Sequence, residues 1–194
     1  MRAVLLGQGP LRDAVAADLR ALEAEIVAEG SVAELLVTIT SPVAPDTLCA
    51  PDTLVWSEAA CWLGRIAVSA ASFHARAPDP VRDESGECLA SAQILHVIDE
   101  APGLAASRHA SQAVAAAGLI AMTRMAALQM APKLRVNAIV PARPSAGMRD
   151  EIRPEALDVQ FDPIPGRLIE TLRFAISTSA LTGEILSVPL DLRD

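Results

Sequence analysis

The sequence predicts a doubly wound α/β fold, a three-layer sandwich in which helices cover both faces of a parallel sheet. Three observations carry this. Short apolar runs alternate with longer stretches of helical periodicity along the whole chain. Glycine, proline and polar clusters separate the runs, as strand ends require. No linker or shift in composition divides the 194 residues, so residues 1–194 are read as a single domain.

The elements follow in order. "RAVLLG" (2–7) is a short apolar run closed by glycine, hence a buried strand. "PLRDAVAADLRALEA" (10–24) places Leu11, Val15, Leu19 and Leu22 four, four and three residues apart. That spacing is one face of an amphipathic helix, and Pro10 suits its first turn. "EIVAE" (25–29) and "AELLVTIT" (33–40) are the second and third strands. "SPVAPDTLCAPDTL" (41–54) repeats "APDTL" and carries three prolines, so it is a loop. Residues 55–77 form a long helix, 78–87 a polar connection, and "AQILHVID" (92–99) a strand. A helix from about 107 to 130 precedes the strand "LRVNAIVP" (134–141). Residues 142–166 are loop-rich, 167–178 form the last helix, and "GEILSVPL" (183–190) the last strand.

Composition limits the partners. Apolar residues make up 52% of the chain, a composition that folds. A net charge of −8 repels phosphate backbones and anionic lipid, so neither nucleic acid nor a membrane surface is expected. No apolar run approaches the roughly 20 residues that span a bilayer. Cys49, Cys61 and Cys88 are an odd number without metal-ligand spacing. They read as reduced thiols in a cytoplasmic protein, and no metal is expected. The chain has no tyrosine, one lysine (Lys133) and one asparagine (Asn137).

Three stretches together resemble the short-chain dehydrogenase/reductase (SDR) family. "LIAMTRMAALQMAPKLRVNAIVPARP" (119–144) is similar to that family's long helix and the following "RVNxxxPG" strand. "PIPGRLIETLRFAISTSALTGEILSVPLDL" (163–192) resembles its C-terminal helix and the "TG" that opens the last strand. "AVLLGQGPLRDAVAADLRALEAEIV" (3–27) looks like its glycine-rich first turn, reduced. The resemblance covers more than half the chain in order. It implies a Rossmann-like fold lacking one strand–helix unit, because only a few residues separate "EIVAE" from "ELLVTIT".

The family transfers hydride between NAD(P) and a carbonyl or alcohol, using a tyrosine, a lysine four residues later, a serine and an asparagine. Carried over, the tyrosine position falls on Gln112 and the lysine position on Ala116. The serine position falls near Asp99 and the asparagine position around Arg65. Glutamine has no titratable proton, and general acid–base catalysis contributes roughly 10²–10⁴-fold. A chain without tyrosine contains no Tyr-x-x-x-Lys pair at all. His109, three residues before Gln112, is the one candidate to replace the missing acid; a helix-start or surface histidine is the ordinary reading. Asp99 with Glu100 is the other candidate, against a helix cap. Cys61 beside Trp62 reads as core packing.

For the cofactor, Gly7, Gly9 and Arg12 stand where the family's turn approaches a pyrophosphate at a helix N-terminus. The third glycine is replaced and the unit that walls the adenine pocket is missing. The expectation is that no cofactor is held, with NAD(P) the alternative. Glu29, 22 residues after Gly7, occupies the ribose-binding position and reads as a surface carboxylate.

The helix "ASQAVAAAGLIAMT" (110–123) has no polar side chain from Ala113 to Met122. A helix apolar all round needs cover all round. The resemblance supplies a partner: helices 55–77 and 107–130 would pair with their copies in another subunit. The preferred expectation is therefore a non-catalytic structural or regulatory subunit, a pseudoenzyme. It would form a homo-oligomer or pair with an active SDR subunit. The alternative is an NAD(P)-dependent oxidoreductase acting on a carbonyl or alcohol at an atypical site.

Overall fold

A computed structural model describes residues 1–40, 53–86, 88–98, 110–141 and 167–188. Its strands are β1 (Arg2–Leu6), β2 (Glu25–Val27), β3 (Leu35–Ile39), β4 (Val81–Arg82), β5 (Cys88–Leu89), β6 (Ala92–Val97), β7 (Leu134–Pro141) and β8 (Ile185–Val188). Its helices are α1 (Pro10–Ala21), α2 (Thr53–Arg76), α3 (Ala110–Met130) and α4 (Arg167–Ser177). Six strands form one sheet in the order β2-β1-β3-β6-β7-β8, every neighbouring pair parallel. The architecture is the Rossmann-like three-layer sandwich that the sequence predicts.

The pleat sorts the core into two layers, since successive side chains point to opposite faces. Ala3, Leu5, Leu35, Val37, Ile39, Leu95, Val97 and Ile139 meet Leu11, Val15 and Leu19 of α1 and Leu168, Leu172 and Ala175 of α4. Val4, Leu36, Ile94, Leu134 and Val136 meet Ala70 and Phe73 of α2 and Ala127 of α3. Ile98, Ala138 and Val140 meet Ile66 of α2 and Ala116 and Leu119 of α3. The 4-4 spacing of Leu11, Val15 and Leu19 in the sequence becomes the buried stripe of α1.

The chain leaves β2 at Val27 and re-enters the sheet at Leu35 on the far side of β1, with no helix between. This is the shortening that the resemblance implied. The strand order reverses here: β1 is flanked by β2 on one side and β3 on the other. Ligands of open α/β sheets bind at such a reversal, beyond the carboxyl ends of the strands.

The sequence motif "RVN" is structural. The buried Asn137 side chain donates from Nδ2 to the Leu181 carbonyl (2.9 Å), and its Oδ1 accepts from the Glu184 N–H (3.0 Å). The Gly183 N–H donates to the Val136 carbonyl (2.7 Å), and the Thr182 hydroxyl accepts from the Val136 N–H (3.1 Å). The chain is thus pinned to β7 before it enters β8. Arg135 donates to the carbonyls of Ala175 and Ile176 (3.3 and 3.1 Å) and to that of Thr178, satisfying acceptors left open at the end of α4. Half-burial lowers the pKa of its guanidinium, and the negative end of the helix provides the counter-charge.

Two sequence readings change. The connection 78–87, read as polar, carries β4 and the turn of a two-stranded hairpin whose second strand, β5, directly follows it. Its turn is closed by Asp83 Oδ1, which accepts from the Ser85 N–H (2.9 Å), and by Arg82 Nη1, which donates to the Gly86 carbonyl (2.8 Å). And α3 is, by length and composition, apolar enough to cross a membrane, though no such run was read from the sequence. In the fold it lies along β7 and α2, burying Ala115, Ala116, Leu119, Thr123 and Ala127. Gly118 faces Leu63 of α2: a Cβ there would stand 3.2 Å from Leu63 Cδ1. The small residue at 118 thus serves the α2–α3 contact within the chain. The outer side of α3 exposes Val114 (52%), Met125 (56%) and Leu128 (85%).

Candidate functional site

The site grows out of the strand reversal. At the end of β1 the chain turns through Gly7 (φ 132°) and Gly9 (φ 90°) into α1. Gly9 is the N-cap residue and offers no side chain to the helix, while Pro10, just inside the helix start, has no N–H. Gly7 is fixed by close approach: a Cβ on it would lie 2.8 Å from the Ile39 carbonyl oxygen. It therefore brings the end of β1 hard against the end of β3.

A cleft of about 280 Å³ opens above this point. Leu6, Gly7 and Gln8 line it from β1 and its turn, and Thr40 from the end of β3. α2 contributes Glu58, Ala59, Cys61, Trp62, Arg65, Ile66 and Ser69, and α3 contributes Gln112 and Ala115. A second hollow of about 110 Å³ adjoins it, sharing Leu6 and Ser69 and bounded by Glu29, Gly30, Ser72 and Arg76. Ser69 Oγ donates to Glu29 Oε1 (2.8 Å), so α2 is tied to the end of β2.

The described residues singled out in the sequence are placed as follows. Gly7 lines the cleft, and Gly9 starts α1 beside it. Arg12 pairs with its neighbour Asp13 (3.1 Å) and is not among the residues that line the cleft. Gln112, at the resembled tyrosine position, is buried and lines the cleft. Ala116 is buried in the core beneath it, with Leu119 and Ile66. Asp99, Glu100 and His109 lie outside the described residues. Cys61, read as core packing, is exposed on the cleft instead; its half-buried neighbour Trp62 lines the cleft too and packs against the cluster of Ile66 and Leu119. Arg65, read only as the place where an asparagine is absent, is exposed in the cleft.

One buried group had no sequence signal beyond its strand. His96 is 1% exposed, and Nδ1 lies 2.6 Å from Oγ1 of Thr38, its register partner on β3. Either atom donates, according to the ring tautomer. Burial holds its pKa down at about 4, against an ordinary value of 6.5. Between those values the unfolded chain takes a proton that the folded chain refuses. Stability is therefore full above pH 6.5 and falls as the pH drops toward 4. Urea unfolding at pH 7.5, 5.5 and 4.5 should show the midpoint falling with acidity, and the fall should shrink in His96→Gln. Partial burial raises the Asp18 carboxyl and acts in the opposite sense, so the difference between the two proteins is the quantity to read.

Comparison with known proteins gives fold and nothing closer. No family model matches the chain, and no curated protein matches it in sequence. Among solved structures, FolM alternative dihydrofolate reductase 1 from Brucella suis, in complex with NADP, superposes with a TM-score of 0.68 at 19% identity. The match covers 96% of this chain and 92% of that one. A small-chain dehydrogenase in complex with NADPH matches at a TM-score of 0.62 and 17% identity, over 97% and 96% of the two chains. 3-Hydroxyacyl-CoA dehydrogenase type-2 from Mycobacterium avium matches at 0.66 and 16%, over 100% and 96%. The chain has the SDR fold, in shortened form.

These neighbours correct the expectation that no cofactor is held, since solved structures of this fold carry NADP and NADPH. One of the two physical grounds for that expectation also fails. The absent strand–helix unit was taken to leave the pocket without a wall, but α2 supplies one, tied to Glu29 through Ser69. What remains fits a dinucleotide: a glycine turn at positive φ, a helix start without a side-chain cap, and a cleft at the strand reversal.

Proposed function

We propose that this protein is a nicotinamide-dinucleotide-dependent oxidoreductase of the SDR fold, acting on a carbonyl or alcohol at an atypical site. The observation that carries this reading is the cleft at the reversal between β1 and β3, kept with its glycine turn. Gly7, Gln8 and the start of α1 would hold the dinucleotide's phosphates, with α2 as the opposite wall. When bound, the cofactor supplies or accepts a hydride. Gln112 lines the cleft where the family carries its acid, and it holds no exchangeable charge. The proton is assigned to His109 or Asp99, the two candidates from the sequence.

Calorimetry with NADH and NADPH should give saturable binding of at least one. Absorbance of the reduced nicotinamide should then report turnover against a panel of aldehydes and ketones, lost in His109→Gln or in Asp99→Asn. The absence of saturable binding up to millimolar concentration would overturn the reading.

A second reading rests on Gln112 and Ala116: a non-catalytic structural or regulatory subunit that binds the dinucleotide without turnover. The exposed Val114, Met125 and Leu128 on α3 and Leu54 and Val68 on α2 support assembly, with a second copy or with an active SDR chain. Binding without turnover, together with a dimer or larger species in light scattering, is its signature. A stable monomer at micromolar concentration would remove the assembly. The free thiols Cys61 and Cys88 support a cytoplasmic setting.

A further inference from the structure

The protein carries a net charge of −8, and Glu58 stands in the cleft itself. A dinucleotide brings two phosphate charges into that field. The turn that should receive them is reduced: Pro10 has no N–H, and Arg12, the cation expected there, is paired with Asp13. Among the described residues lining the cleft, one side chain is cationic. It is Arg65 of α2, exposed and facing the same space as Gly7 and Gln8. No ion pair or hydrogen bond to Arg65 occurs among the described residues. Its guanidinium is always charged and presents a fork that matches phosphate oxygens.

We propose that Arg65 is the phosphate-binding residue of this cleft, taking from the opposite wall the role that Arg12 and the missing third glycine leave vacant. The ligand class is a nucleoside diphosphate moiety, free or within a dinucleotide. This rests on the proposed dinucleotide binding, but it concerns the diphosphate alone. Its position on α2 explains how a shortened chain holds an anion. The start of the first helix gives backbone donors, its nearby Arg12 being paired with Asp13, and α2, the wall of the groove, gives the cation.

The test is calorimetric. ADP, NADH and NADPH are titrated into the wild-type protein, Arg65→Gln, Arg65→Lys and Arg12→Gln, at two salt concentrations. Circular dichroism confirms that each variant is folded; Arg65 is exposed on its helix, so folding should survive. Arg65→Gln should weaken the binding of ADP and of the preferred dinucleotide by about tenfold or more, the scale of a lost charged hydrogen bond. Arg65→Lys should restore part of it, and Arg12→Gln should change it less than twofold. The wild-type protein should lose affinity with added salt more steeply than Arg65→Gln. Equal affinities in wild type and Arg65→Gln, or a larger loss in Arg12→Gln, would overturn the proposal. If ADP binds through Arg65 and neither dinucleotide does, the oxidoreductase reading fails and this one stands. If no ligand binds the wild-type protein, both are overturned.

Discussion

Replacing Gly7 by alanine should cost about 4 kcal/mol of unfolding free energy and abolish measurable dinucleotide binding. Two independent penalties meet at this residue. Its φ of 132° lies where a side chain is strained. The added Cβ would also sit 2.8 Å from the Ile39 carbonyl oxygen and 2.9 Å from the Ile39 Cβ. Neither obstacle is the flexible end of a side chain, so β1 and β3 must separate at their ends. That is the point where the cleft begins. Gly30 separates the two penalties. Its φ of 93° is also positive, but a Cβ there meets nothing within 4 Å. Gly30→Ala should therefore cost only about 1 kcal/mol, the backbone share. Urea unfolding of both variants reads the difference. If Gly7→Ala proves no worse than Gly30→Ala, the close approach of the two strands is not what fixes the turn.

Replacing Asn137 by alanine should be comparably severe, about 4 kcal/mol. The side chain is fully buried and satisfies two backbone groups, the Leu181 carbonyl and the Glu184 N–H. Each left unpaired in the interior costs roughly 1–3 kcal/mol, and the vacated volume adds to it. The loss should be local at first: β8 should exchange its amide hydrogens faster than β7 or β6. Asn137→Asp sharpens the test. An ionised carboxylate accepts from Glu184 but cannot donate to Leu181, so the variant should regain stability as it is acidified and the carboxyl gains a proton. If Asn137→Asp matched the wild type at neutral pH, the donated bond would carry no weight.

The sequence and the structure divide the site unevenly. Gly7 was legible because its residue type admits few explanations at the end of a first strand. Asn137 was legible as a motif, but its task was not: the groups it holds lie 44 and 47 residues away. Arg65 was read only as the place where an asparagine is absent, for a related reason. Alignment with a family asks which residue is missing at a position, and it does not ask what the residue present can reach. Arg12 was favoured because it follows the glycine turn, yet an ion pair with the adjacent Asp13 takes it up. Cys61 and Trp62 are neighbours in sequence and both line the cleft, but a rotation of 100° per residue leaves Cys61 exposed and packs Trp62 partly against the core. The buried His96–Thr38 pair depends on the register between β3 and β6, which no local pattern specifies.

By itself the sequence determined the order and kind of the helices and of the strands of the main sheet, and the shortening between β2 and β3. Those follow from periodicity, from the punctuation of glycine and proline, and from how few residues join two strands. It also determined a chemical fact that no fold can alter: a chain without tyrosine has no phenol to donate. The tertiary structure decided which side chains share the cleft and what replaces the missing wall. That could not be read along the chain, because α2 meets Glu29 through Ser69, forty residues on. Such a contact is set by how helices pack across a sheet, and packing answers to shape and burial over the whole molecule.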